Sequence, residues 1–148
     1  MKNKLIFRLS NNLGNQMFMY ATAYAFSKQL NRELFIDDES SFLVYKNRHT
    51  KYNLNFFKIS AKLASNDLKY IGMFGNLKRK LYKRLDIFKK KKLFYSEPRK
   101  KGKVTFYNTD FINKNYNNNL FIEGYFESEK YFIKYKEEIL KEFTFKHK

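Results

Sequence analysis

The chain has no cysteine and no tryptophan, and only one proline and five glycines in 148 residues. Without cysteine there is no disulfide and no thiolate chemistry, a state that suits a reducing cytosol. No apolar run approaches the ~18 residues of a membrane span. After the basic start Met1–Lys4, the run Leu5–Phe7 is too short for a signal peptide. No cluster of His, Asp or Glu has metal-ligand spacing, so no metal site is expected. No solenoid repeat is present, and no low-complexity tract beyond a lysine run.

What the chain does have is positive charge and aromatic rings. The formal charge is +17 and aromatics make up 20% of residues. Such a balance is typical of partners that are nucleic acid or anionic membrane. Abundant Lys, Asn, Phe, Tyr and Ile with scarce Pro and Gly is also what AT-rich coding sequence produces, so part of the excess reflects mutational bias. The charge is uneven: Lys78 to Lys103 holds thirteen Lys or Arg against two acids, Asp86 and Glu97, and so carries +11 of the +17. A nucleic-acid reading finds no RNP1-like strand, no helix-turn-helix cue and no zinc ligands. The length suits one domain with a real core.

The stretch Asn11–Ala21, NNLGNQMFMYA, follows the apolar run Leu5–Phe7 and opens a long helical pattern. Strand, short turn and helix start form a common phosphate-holding arrangement, because the free N–H groups of a first helical turn and the helix dipole favour an anion. Asn15 and Gln16 add amides that donate and accept. A dinucleotide fingerprint is not met, since Gly14 stands alone. The spacing predicts strand Lys4–Leu9, helix Asn15–Leu30 and strand Glu33–Ile36, a βαβ unit. Met17–Phe26 is apolar or aromatic at nine of ten positions, so Met17, Phe18, Tyr20 and Tyr24 read as packing residues. Asp37 and Asp38 either face the cleft at the strand's carboxyl end or cap the turn into Ser40–Ser41; the cap is preferred.

Downstream, Phe42–Ser60 is irregular. A helical pattern runs from Ser65, with Tyr70, Phe74, Leu77, Leu81, Leu85 and Phe88 at spacings of three and four; Gly72 and Gly75 weaken its start, and Lys89–Lys92 ends it. Its basic flanks fit a helix lying on an anionic membrane or a solvated helix of the domain surface. Pro98 and Gly102 mark a loop. Val104–Tyr107 reads as a strand, Asn117–Asn119 as a turn, and Leu120–Glu123 as a strand. A final helix from Glu129 to Phe143 follows, with Ser128 as N-cap and Phe132, Tyr135, Ile139 and Phe143 as its buried stripe. The whole predicts a three-layer α/β domain with a parallel sheet.

Two stretches resemble the α-1,2-fucosyltransferase family. Leu13–Phe18 and Tyr20–Ala21 match its G-G-L-G-N-Q-M-F-Q-Y-A, with Asn11 and Asn12 in place of the glycines and Met19 in place of the second Gln. Gly124-Tyr125-Phe126-Glu127-Ser128-Glu129-Lys130-Tyr131-Phe132 matches G-Y-F-Q-S-E-K-Y-F, with Glu127 in place of Gln. Asn53–Ile59 resembles the family's short L-x-x-F-x-I element and reads as packing. The resemblance runs from Arg8 to about Phe145, with a divergent middle.

The resemblance implies the N-terminal, Rossmann-like lobe of a two-lobed GT-B glycosyltransferase, residues 1–148 forming that lobe. The family's donor-binding lobe, with its H-x-R-R-x-D motif, is expected to be missing; neither Arg48-His49 nor Lys146–Lys148 supplies it. The implied reaction is inverting transfer of L-fucose from GDP-fucose, a donor substrate with no further cofactor, to the 2-hydroxyl of a terminal galactose in a surface glycan. Leu13, Gly14, Asn15 and Gln16 would close over the diphosphate, and Gly124, Tyr125 and Phe126 would sit near the same cleft. Asp37, Asp38 and Glu127 are base candidates by chemistry only. Glu127 adds negative charge near a diphosphate, while Asn11 and Asn12 tolerate left-handed turn conformations. The chain alone is expected to be inactive. A cytoplasmic location is expected, with peripheral contact to an anionic membrane through Lys78–Lys92. The competing readings are a basic membrane- or nucleic-acid-binding module and an inactive fragment.

Overall fold

Strand β1, Lys4–Arg8, is apolar at its three central positions and buried on both faces, as an interior parallel strand must be. It pairs in parallel with β2 (Glu33–Asp37) on one side and β5 (Tyr116–Glu123) on the other. The computed structural model describes residues 2–42, 50–98 and 107–146. Within these, a short β3 (Lys62–Leu63) extends the sheet beyond β2, and β4 (Lys92–Ser96) extends it beyond β5. All pairings are parallel and the order is β3-β2-β1-β5-β4. This is the α/β, Rossmann-like architecture expected.

Side-chain alternation sends Leu5, Phe7, Ile36, Leu120 and Ile122 to one face and Ile6, Phe35 and Phe121 to the other. The first face is covered by helix α1 (Leu13–Gln29) and the C-terminal segment. Ten consecutive-to-near-consecutive α1 positions from Gln16 to Ser27 are buried, which explains a helix apolar nearly all round. It ends where Asn31 takes a left-handed φ of 49°. The Asn31 N–H then reaches the Lys28 carbonyl at 3.2 Å and the Arg32 N–H the Ser27 carbonyl at 2.8 Å, a Schellman cap made with Asn instead of Gly. The second face is covered by Ala64, Leu68 and Tyr70. Helix α2, Gly72–Asp86, lies beside β4.

Several expectations are corrected. Asn117–Asn119 is not a turn but part of β5: Asn119 stands opposite Lys4, and the buried Arg32 guanidinium donates to the carbonyls of Asn117 (2.8 Å), Asn118 (3.0 Å) and Lys4 (3.2 Å). The helix expected over Glu129–Phe143 is broken into 3-10 turns at Glu129–Tyr131 and Ile133–Tyr135, and only then α3, Lys136–Glu142. Tyr131 packs on Phe26 and Phe126 while Phe132 packs on Phe18, and Phe132 leaves helical angles (φ −133°, ψ 1°) to allow both. Ser128 stands at that start without a side-chain cap. Of the expected stripe, Ile139 is buried and Phe132, Tyr135 and Phe143 are packed at the core's edge. Strands β3 and β4 were not expected. The strand expected over Val104–Tyr107 falls largely outside the described residues; Tyr107 itself is irregular. Leu54, Phe57 and Ile59 pack on the core, as read.

Arg32 joins the amino ends of β1 and β5 to the end of α1, and burial pulls its pKa below the ordinary value. Arg32→Met keeps the stem and leaves three carbonyls without their donor. Urea denaturation of this variant is expected to show a loss of about 2–4 kcal/mol; an unchanged midpoint would mean that Arg32 does not join these strands.

Candidate functional site

In open α/β sheets ligands sit outside the carboxyl ends of the strands, where the strand order reverses. Here the reversal lies between β1 and β5. Beyond their carboxyl ends is an open cavity of about 320 Å³, lined by Arg8 at the end of β1 and Ser10 after it, Ser96 at the end of β4 and Glu97 after it, Glu123 at the end of β5 and Gly124 and Tyr125 after it, and Arg79 and Lys83 from α2. The β1–β5 pairing sets the two family-like motifs, from opposite ends of the chain, side by side at this edge.

Glu123 organises the charge. Lys83 donates to its Oε1 and Arg79 to its Oε2, while the Ser96 hydroxyl donates to Oε1 at 3.2 Å. Burial raises the Glu123 pKa, but Lys83, Arg79 and, more weakly, Arg8 overcome it and hold the carboxyl below its usual range. Arg8 also donates to the Ser40 carbonyl at 3.2 Å. Three cations therefore meet two carboxylates, Glu123 and Glu97, at one cavity, leaving it positive. Glu97 is buried and accepts the Tyr125 N–H at 2.9 Å. Arg79 and Lys83 lie one helical turn apart on the α2 face opposite its apolar stripe, an i, i+4 spacing legible in the sequence. Glu97 carried no sequence signal: only its place after β4 brings it to the cavity.

The predicted site residues separate into two groups. Leu13, Gly14 and Asn15 form the first turn of α1, just after the cavity residues Arg8 and Ser10; Leu13 and Gly14 are exposed and Asn15 partly so. Gln16 faces inward. Its side-chain NH₂ donates to the carbonyls of Asn11 (2.7 Å) and Lys51 (2.8 Å), and its oxygen accepts the Asn53 N–H at 2.9 Å. Both its donors and its oxygen are thereby spent on pinning the turn and the 51–53 segment. Asn11 takes a φ of 63°, the left-handed conformation that lets it stand at a glycine-like position. On the other motif, Gly124 and Tyr125 line the cavity, but Phe126 is fully buried against Phe7, Phe26 and Tyr131. Its ring is a core anchor, so the motif offers one ring to a ligand and not two. Gly124 has a φ of 151°, and a Cβ there would lie 2.4 Å from that of Glu97.

Of the base candidates, Asp37 caps the turn it precedes, accepting the N–H groups of Glu39 (3.1 Å) and Ser40 (2.9 Å), and Asp38 pairs with Lys69 at 2.8 Å. Glu127 is exposed. Among the described residues no group of three or more His, Asp or Glu is arranged to hold a metal ion.

A stretch of 53 residues is 45% identical to WbnK, an O-antigen biosynthesis glycosyltransferase of Escherichia coli. It takes in 34% of this chain and 18% of that protein. No family model matches the chain, and no solved structure matches it.

The two motif glycines have opposite surroundings. A Cβ at Gly14 would meet open space within an ordinary helix. Gly14→Ala is expected to be neutral or stabilising by up to about 1 kcal/mol, and Gly124→Ala to destabilise by about 3 kcal/mol, from strain and the Glu97 clash. Denaturation midpoints check both; equal effects would disprove the crowding at Gly124. Glu123 makes stability pH-dependent. Its folded pKa lies below the ordinary 4.5, so its contribution is whole above that value and is lost as pH falls through the lowered one. Glu123→Gln is expected to be less stable than wild type at neutral pH by about 1–3 kcal/mol, with the gap closing in acid. A gap independent of pH would rule out an ionised Glu123 as its source.

Proposed function

We propose that this chain is the N-terminal lobe of a glycosyltransferase of GT-B type, and within that class of a galactoside α-1,2-fucosyltransferase. The observation carrying the reading is the meeting of both family-like motifs beside a net-positive cavity at the sheet's reversal point. The partial match to an O-antigen glycosyltransferase supports glycosyl transfer. The choice of GDP-fucose as donor and of a terminal galactose in a surface glycan as acceptor rests on the motif resemblance.

Inverting transfer proceeds by one displacement, so the protein needs no nucleophile of its own. It must neutralise the departing diphosphate and hold the acceptor hydroxyl in line. In this reading the Leu13, Gly14 and Asn15 N–H groups at the start of α1 face the diphosphate, with Arg8 and Arg79 supplying positive potential. Gln16 and Phe126 position the two motifs from beneath. Tyr125 offers a ring to a sugar face. Glu97, the buried carboxylate of the cavity, is better placed than Asp37, Asp38 or Glu127 to accept the acceptor proton.

Arg79 and Lys83 are both engaged by Glu123 and Arg8 donates to the Ser40 carbonyl, so each cation lining the cavity already has a partner that a diphosphate would have to displace. A helix terminus contributes about 1–2 kcal/mol, roughly tenfold in affinity. The 148-residue chain is therefore expected to bind GDP-fucose more weakly than micromolar by calorimetry and to transfer no fucose. Joined to the second lobe of a full-length family member, it should transfer fucose to a galactose-terminated acceptor, and Glu97→Gln in the joined protein should lower kcat with little change in donor KM. Micromolar donor binding by the chain alone, abolished by Asn15→Ala, would contradict this division of labour. Transfer from another nucleotide sugar would overturn the donor assignment.

A further inference from the structure

Helix α2 is turned outside in. Its inward face is polar: Arg79 and Lys83 bind Glu123, and the Asp86 carboxylate accepts the N–H groups of Leu93 (2.8 Å) and Phe94 (3.0 Å) on β4. Gly75 lets the helix approach the Tyr70 backbone, which a Cβ would strike at 2.5 Å. The apolar stripe, whose direction periodicity alone leaves open, points to solvent. Phe74 is 84% exposed, Met73 81% and Leu77 65%; Leu81, Leu85 and, just past the helix, Phe88 continue the row. Isolated exposed apolar residues are ordinary, but a contiguous row along about 18 Å of helix is an interaction surface.

Charge identifies the occupant. The exposed charged residues around the stripe are Lys78, Lys80, Arg84 and Lys89–Lys91, all basic, and the one acid of the region, Asp86, is buried. By the helical period Lys78 and Lys80 flank the stripe on its two sides, and Arg84 has a stem long enough to reach out of it. A second copy of this chain would set these charges against themselves. Protein interfaces are poor in Lys, whereas an apolar row edged by Lys and Arg is the composition of a helix lying in an anionic lipid surface. Among the described residues no helix is long and apolar enough to cross a membrane.

We infer that α2 docks flat on an anionic phospholipid membrane, with Met73, Phe74, Leu77, Leu81 and Leu85 entering the acyl boundary and the flanking Lys and Arg at headgroup level. Because Arg79 and Lys83 project from the opposite face of the same helix, docking sets the cavity one helix diameter, about 10–12 Å, from the lipid. The inference stands on this surface and not on the transfer reaction.

The test is sedimentation of the 148-residue chain with vesicles of phosphatidylcholine alone or equimolar phosphatidylcholine and phosphatidylglycerol. Binding is expected to the mixed vesicles, with rising salt weakening it without abolishing it. Phe74→Ser with Leu77→Ser should cut the partition coefficient at least tenfold. Exchanging Lys78, Lys80 and Arg84 for Gln should cut it by about fivefold per charge at low salt. Both variants alter exposed side chains, so their denaturation midpoints should match wild type, separating lost docking from lost folding. The chain lacks tryptophan, which makes Phe74→Trp a single fluorescent reporter: a blue shift and quenching by acyl-brominated lipid are expected. Equal binding by the Phe74→Ser, Leu77→Ser variant, or unshifted Trp emission on bound vesicles, would overturn insertion. Absence of binding to mixed vesicles would overturn the proposal, as would self-association abolished by the same two substitutions, which would assign the stripe to a second copy.

Discussion

An ionised carboxylate at the end of an interior strand must be paired, since burial without partners costs several kcal/mol. Glu123 sits there, and its partners come from α2: Lys83 and Arg79 reach down to it. That requirement orients the helix. With its basic i, i+4 pair and Asp86 committed to the sheet edge, α2 presents its apolar stripe and the flanking Lys78, Lys80 and Arg84 outward. One ion cluster thus decides the charge of the cavity, the seating of the helix and the chemistry of the outer surface.

The second constraint is the pairing of β1 with β5. Consecutive strands of a parallel sheet are often neighbours, yet here the last strand enters between β1 and β4. Each of these two central strands delivers a turn to the same edge. The turns are built differently. After β1, a left-handed Asn11 and the fully engaged amide of Gln16 hold the chain for the start of α1. After β5, Gly124 admits Glu97 at close range, and Phe126 in turn, itself left-handed at φ 49°, drives its ring into the core. Residues conspicuous in a motif therefore serve in two ways: some face the cavity, and others fasten the turn that does. Gln16 and Phe126 belong to the second kind.

The core explains why such turns can be rigid. Tyr20 and Tyr24 of α1 donate their hydroxyls to Glu142 (2.6 Å) and Glu138 (2.7 Å) of α3, tying the first and last helices together over the sheet. Burial raises both phenol pKa values, and the adjoining carboxylates raise them further, so the hydroxyls remain donors across the physiological range.

Local pattern alone determined the elements whose periodicity is strong and whose partners are near in sequence: β1, α1 and β2, the existence of an amphipathic helix around 72–86, and the cap formed by Asp37. It picked out the two motifs, which the β1–β5 pairing then sets at one edge of the sheet. It failed where a segment's state is set by distant contacts. Asn117–Asn119 carry turn-forming side chains, but β1 and Arg32 claim their backbone. Lys92–Ser96 looks like the tail of a lysine run until Asp86 binds its first amides. The segment from Glu129 has helical spacing but breaks because Tyr131 and Phe132 are claimed by rings on α1 and at Phe126. The direction of the α2 stripe was likewise undetermined, since periodicity shows that a helix has two faces and not which one a buried charge will hold. Tertiary structure alone brought Arg8, Arg79, Lys83 and Glu97 together, because a site between four segments exists only once the strand order places their carboxyl ends at one edge.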